Sequence, residues 1–106
     1  MTFAELRAFA ASLPGTTEAP HFELLSFRVG TKIYATVPPG APEVRVFVDE
    51  AAAREAVARE PGALELLYWG AKLAGVRARL DAADDDHLRA LLRAAWERKG
   101  AKRARR

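Results

Sequence analysis

The sequence predicts an α+β domain: an antiparallel sheet of about four to five strands with helices packed on one face, in the order α-β-β-β-α-(β)-β-α. Three observations predict it. Apolar residues recur at helical spacing near both ends of the chain and once in the middle, with capping residues where those stretches begin. Between them lie short segments that alternate with period two. Gly and Pro clusters punctuate the boundaries.

Thr2 with Glu5 forms a capping box, and Phe3, Leu6, Phe9, Ala10 and Leu13 follow on one helical face until Pro14-Gly15. Residues 15–23 read as a loop. Ser26 to Val37 reads as a hairpin centred on Gly30-Thr31. A two-residue turn would pair Val29 with Lys32 and mix the faces; a three-residue loop pairs Val29 with Ile33 and keeps the apolar sets together, so the latter is expected. Pro38, Pro39, Gly40 and Pro42 precede a strand, Val44 to Val48. Asp49 caps an Ala-rich helix that ends at Glu60-Pro61-Gly62. Leu64 to Gly75 is read as a short strand with a turn at Trp69-Gly70, and Val76 to Leu80 as the last strand. Asp84 opens a final helix with Leu88, Leu91, Leu92, Ala95 and Trp96 on one face, closed by Gly100. No internal repeat and no linker is evident. The chain is one domain, residues 1–100, followed by a basic tail, residues 101–106.

With 106 residues, half of them hydrophobic, the chain can bury a core without staples. The absence of Cys excludes disulfides, thiolate catalysis and Cys-type zinc sites. Glu5 and Arg7 interrupt any signal-peptide pattern, and no apolar run reaches spanning length, so a cytoplasmic protein without a membrane partner is expected. The net charge is +3, but residues 97–106 hold six cations against Glu97. The other 96 residues therefore carry 11 cations against 13 acids. The high pI belongs to the tail.

Strand parity gathers charge on one face. With Leu25, Phe27, Val29, Ile33, Ala35, Val37, Val44, Val46, Val48, Val76, Ala78 and Leu80 inward, the outer face holds Ser26, Arg28, Tyr34, Thr36, Arg45, Phe47, Arg77 and Arg79, with Lys32 at the loop. Its charged strand positions are all positive, the acids falling on helices, caps and loops. Guanidinium groups spaced this way suit phosphates, and Tyr34 and Phe47 suit base stacking. The plain alternative is a wet sheet face whose Arg stems cover apolar surface. In the tail, Lys102 and Arg103 add non-specific attraction for a polyanion, or simply solubility. With no Asn and no Gln, rich base reading is disfavoured and backbone contacts fit better.

The stretch SFRVGTKIYATV (Ser26 to Val37), preceded by Pro20-His21-Phe22 and followed by Tyr68-Trp69-Gly70 and the Leu88…Trp96 helix, resembles the MmcQ/YjbR family over essentially the whole chain. The resemblance implies a compact α+β fold of double-wing or frataxin-like type, and a family described as DNA-binding. One departure is visible: such sequences commonly place Trp after the glycine that precedes the last strand, whereas Val76 follows Gly75 here. If that aromatic served as a stacking platform, it is lost.

Catalytic motifs are missing: no phosphate-binding Gly-rich loop, no HExxH and no nucleophile elbow occurs. His21 near Glu18 and Glu23 reads better as a loop-packing histidine than as a metal ligand. Asp84, Asp85 and Asp86 before His87 read as favourable charge at a helix start. No enzyme activity, metal or cofactor is expected. The leading expectation is nucleic-acid binding through Arg28, Lys32, Tyr34, Arg45, Phe47, Arg77, Arg79, Lys102 and Arg103. The alternatives are a planar small ligand held by Tyr34, Phe47, Tyr68 and Trp69, as natural-product settings of some relatives imply, or a protein-interaction module on the same face. A monomer is favoured, since no apolar stripe is left over.

Overall fold

Alternation and capping resolve into three helices and one six-stranded sheet in the computed structural model, which describes the backbone of residues 1–40 and 42–104 and side chains as far as Gly100. The elements are α1 (Phe3–Ser12), β1 (Thr16–His21), β2 (Leu24–Val29), β3 (Lys32–Val37), β4 (Glu43–Val46), α2 (Glu50–Arg59), β5 (Leu64–Trp69), β6 (Lys72–Arg79) and α3 (Asp85–Ala104). The sheet is antiparallel throughout, in the order β1-β2-β3-β4-β6-β5. The α+β class and its antiparallel sheet stand as expected, with one strand added at the edge.

That strand is β1, in a segment the sequence reads as a loop. Thr16, Glu18 and Pro20 show no apolar alternation, and β1 forms because β2 offers a pairing edge, Thr16↔Val29 to His21↔Leu24. An edge position tolerates Pro20. Arg7 of α1 fastens it by donating to Glu18 through Nε at 2.9 Å and Nη2 at 2.8 Å. The two-residue turn that follows places Phe22 at φ 58°, a left-handed conformation unusual for an aromatic residue.

The caps behave as their chemistry demands. The Thr2–Glu5 capping box opens α1, and Asp49 accepts from the Ala52 N–H to open α2. Asp84 accepts from the His87 N–H at the start of α3. Leu6, Ala10, Ala53, Ala56, Leu88, Leu91, Leu92 and Ala95 bury the helices against Phe27, Ala35, Val44, Val46, Val76 and Ala78 of the sheet. Gly100 does not end α3, which continues through Ala104. Its hydrogen faces Val29, where a Cβ would lie 2.7 Å from Cγ2, so the glycine serves close packing.

Hairpin register departs from expectation. The turn is Gly30-Thr31 with Val29↔Lys32 paired, not Val29↔Ile33. Faces stay sorted because a bulge follows at once: Arg28 pairs with Ile33 and Phe27 with Ala35, leaving Tyr34 unpaired. The β5–β6 hairpin repeats this arrangement forty positions on. Trp69 pairs with Lys72 across Gly70-Ala71, Tyr68 with Leu73 and Leu67 with Gly75, leaving Ala74 unpaired. The last strand thus starts at Lys72 and carries Gly75 inside it. A structural repeat therefore exists where the sequence reads none. Both β3 and β6 run antiparallel to β4, so both turns lie at the same end of the sheet. The two hairpins turn opposite faces to the core, as a twofold along β4 would require: Phe27 and Tyr34 sit in the main core, whereas Leu67 and Ala74 sit on the other face with Phe47.

Candidate functional site

Register across the strands defines the face away from the helices. Ser26, Thr36, Arg45, Arg77 and Glu65 stand side by side on five successive strands, with Arg28 beside Ile33 and Glu43 beside Arg79. Arg45 and Arg77 are directly opposite, an arrangement that repels unless each has a counter-charge. Each has one: Arg45 Nε lies 3.4 Å from Glu43 and Arg77 Nη2 3.4 Å from Glu65. Arg79 lies 3.5 Å from Asp81, and Arg28 donates to the Ser26 hydroxyl. The expectation of an all-positive strand face is therefore corrected. Glu43 and Glu65 are strand residues, because a strand can start on a charged residue and an exposed edge strand accepts Glu on its wet side.

The expected aromatics also move. Tyr34 is fully buried in the core, since the bulge turns it toward α1. Its hydroxyl lies 3.0 Å from Thr16 Oγ1, and burial raises its pKa above the ordinary phenol value. Phe47 is on the expected face but only 5% exposed, covered by Ile33, Leu67 and Ala74, and its N–H is held by the Tyr34 carbonyl. Neither is free to stack. Val76 is buried too, so an aromatic in its place would face the core and not a ligand. The exposed aromatic surface lies instead on Phe22, 91% exposed, on Trp69, 60% exposed and tilted against Phe47 at 5.1 Å, and on Tyr68 and Phe3.

Phe47 marks the centre of a cleft of about 270 Å³ running along this face from the β1–β2 turn to Trp69. Ile33, Leu24 and Phe22 supply apolar wall, His21, Thr36 and Arg45 the polar groups, and Lys99 of α3 closes one side. Thr36 is 3% exposed, and its hydroxyl has no hydrogen-bond partner among the described residues.

Beyond the cleft, the two hairpin turns and α3 bring cations together. Lys99 is held below its ordinary pKa of 10.5, first by burial and then by Arg98, Lys32 and Lys72. Among the described residues no carboxylate lies within 4 Å of Lys32, Lys72 or Lys99, and Arg98 donates to the Phe47 carbonyl at 3.1 Å. Sequence reasoning found Lys32 and counted Arg98 and Lys99 among the C-terminal cations, but missed Lys72 and the meeting of all four. A signal was present: Gly30-Thr31-Lys32 and Gly70-Ala71-Lys72 are the same Gly-x-Lys turn. Lys102 and Arg103 fall in the last turn of α3, and their side chains lie outside the described residues.

His21 packs edge-on against Phe22, and Glu18 is engaged by Arg7. Among the described residues no three His, Asp or Glu side chains converge as a metal site. No described helix is long and apolar enough to cross a membrane. A second, larger groove of about 760 Å³ lies on the far side of the β1–β2 turn, lined by Phe3, Phe22, Leu24, Leu25, Pro38 and Pro39 among others. The expectation that no apolar surface is left over is corrected accordingly.

No curated protein matches the sequence. Among solved structures, the chain is similar to the Deinococcus radiodurans protein DR2400, whose domain is designated DUF419. The two share 26% identity over 98% of this chain and 86% of that one, with a TM-score of 0.81. The YjbR family model matches residues 11–98, from the end of α1 through most of α3. That span contains both hairpins, Lys32, Lys72 and every residue lining the cleft except Lys99, and the chain belongs to the YjbR family.

Proposed function

We propose that the protein binds nucleic acid through the phosphate backbone, without catalysis, at the end of the sheet where the two hairpin turns meet α3. The observation that carries this reading is the convergence of Lys32, Lys72, Arg98 and Lys99 on one end of the molecule, with three of the four lacking a nearby carboxylate among the described residues. Cations left uncompensated in this way attract a polyanion and release its counterions. Exposed Trp69, opposite Lys72 in the strand register, offers a stacking surface for an unpaired base. The strand arginines contribute less, because Arg45, Arg77 and Arg79 already have carboxylates beside them. Lys102, Arg103, Arg105 and Arg106 follow in the sequence and add positive charge.

The test is fluorescence anisotropy with labelled duplex and single-stranded DNA between about 50 and 200 mM salt. Lys32→Ala with Lys72→Ala is expected to reduce the log–log salt slope on duplex by roughly 1.8, at about 0.9 per phosphate contact. Arg45→Ala with Arg77→Ala should change it less. Absence of binding at 50 mM salt, or an unchanged slope in the lysine variant, overturns the reading.

A further inference from the structure

We propose that the cleft beneath Phe47 and Trp69 is a separate binding site for a small planar aromatic carboxylate. The cleft adjoins the cationic end and shares Lys99 and Trp69 with it, but the proposal does not rest on nucleic-acid binding. Size sets the first limit. About 270 Å³ is at the small end for ligand pockets and suits one or two fused rings. The walls set the second. Ile33, Leu24, Phe22 and Phe47 are apolar, and Trp69 lies over the opening against Phe47. A flat apolar body is what such walls hold.

The polar groups define the other end of the ligand. Thr36 is 97% buried, with a hydroxyl that no described residue meets. Buried hydroxyls are normally paired, so an orphan lining a cleft marks where a ligand atom belongs. Arg45 stands directly beside it in the sheet register. Its guanidinium uses only Nε on Glu43, at a long 3.4 Å, and makes no other hydrogen bond among the described residues. Free guanidinium N–H groups next to a hydroxyl donor fit the two oxygens of a carboxylate. Lys99 adds a second positive charge from across the cleft. Burial and like charges lower its pKa, so a bound anion would relieve it. A nucleotide fits less well: the apolar wall offers nothing to a sugar or to a base edge, and the chain has no Asn or Gln to do so.

The probe is 2-naphthoate, followed by quenching of Trp69 in a Trp96→Phe background and by calorimetry, at neutral pH and about 150 mM salt. Saturable quenching is expected, with 2-naphthalenemethanol, the neutral analogue, at least tenfold weaker. Thr36→Val should weaken naphthoate about tenfold while leaving the melting temperature equal or higher, because an unpartnered buried hydroxyl adds nothing to folding. Arg45→Met should abolish binding. Lys32→Ala with Lys72→Ala, which tests the nucleic-acid reading, should leave naphthoate binding within about twofold. No saturable quenching up to millimolar probe overturns the proposal, as does equal binding of the neutral analogue or an unaltered affinity in Thr36→Val. Adenosine monophosphate or inorganic phosphate competing as well as naphthoate would overturn the carboxylate class and assign the cleft to phosphates.

Discussion

At the scale of single residues, the geometry of this protein is most constrained at Gly75. A Cβ there would lie 2.1 Å from the Val46 carbonyl oxygen and 2.9 Å from the Phe47 Cα, both backbone atoms that cannot swing aside. Only hydrogen fits where β6 passes the end of β4. Gly75→Ala is expected to cost about 4 kcal/mol or more, enough to unfold a small domain at ordinary temperature. Circular dichroism melting checks this, and a variant that melts within a few degrees of the parent would show that the strands can separate at no great cost. Gly75 is legible as a glycine in the sequence, but its role is not. The sequence reading puts Gly75 just before the last strand, whereas it lies inside β6, next to the bulge at Ala74 that breaks the period. Tyr34 was misplaced for the same reason, since one unpaired residue reverses parity for whatever lies on its far side.

At the scale of elements, the junction of α2 with α3 rests on one carboxylate. Glu60, the residue that ends α2, accepts from the Asp84 N–H at 2.8 Å and pairs with His87 Nδ1. Asp84 in turn accepts from the His87 N–H at 3.0 Å. His87 is 7% exposed, so its ring cannot turn to water for a replacement partner. Glu60→Ala leaves a helix-start N–H and a buried imidazole without acceptors, at a cost of about 2 kcal/mol. For a domain of this size that is roughly 8–16 °C in melting temperature. A change under about 2 °C would mean that the junction is held by apolar packing alone. The sequence reading assigned His87 to a helix start, which is where it lies, while the link to Glu60 spans 27 positions and has no sequence signature.

At the scale of the whole molecule, the notable feature is the gathering of positive charge from three elements around Lys99. Burial and its neighbours Arg98, Lys32 and Lys72 hold the folded-state pKa below the unfolded value of 10.5. The unfolded chain therefore binds this proton more readily, and the charged lysine opposes folding at neutral pH. Stability is regained as pH rises from the folded pKa through 10.5, above which the residue is neutral in both states. Lys99→Met keeps the apolar stem and removes the charge. It is expected to be more stable than the parent at pH 7, with the advantage closing above about pH 10.5. Urea unfolding across that range measures the difference, and an advantage independent of pH would assign it to packing instead. A molecule that keeps this repulsion keeps a surface suited to an anion, and the binding experiments address that use.

The sequence by itself determined the local features: the Thr2–Glu5 capping box and the Asp49 cap, the helix faces, the positions though not the lengths of the two glycine-containing turns, and the α+β order, because each is set by contacts among residues a few positions apart. It also carried the family's features in the hairpin Ser26 to Val37 and in Tyr68-Trp69-Gly70. Only the tertiary structure decided what depends on pairing between distant segments. β1 exists because β2 offers it an edge. Glu43 and Glu65 reach the arginine face because strand register carries them there. The lysines of two turns forty residues apart meet because β3 and β6 both run antiparallel to β4. Period-two reasoning predicts a face only within an unbroken strand, and each of the two bulges resets it by one residue. Both bulges lie where buried side chains pack, Tyr34 in the main core and Ala74 with Phe47, contacts that exist only once the chain has folded.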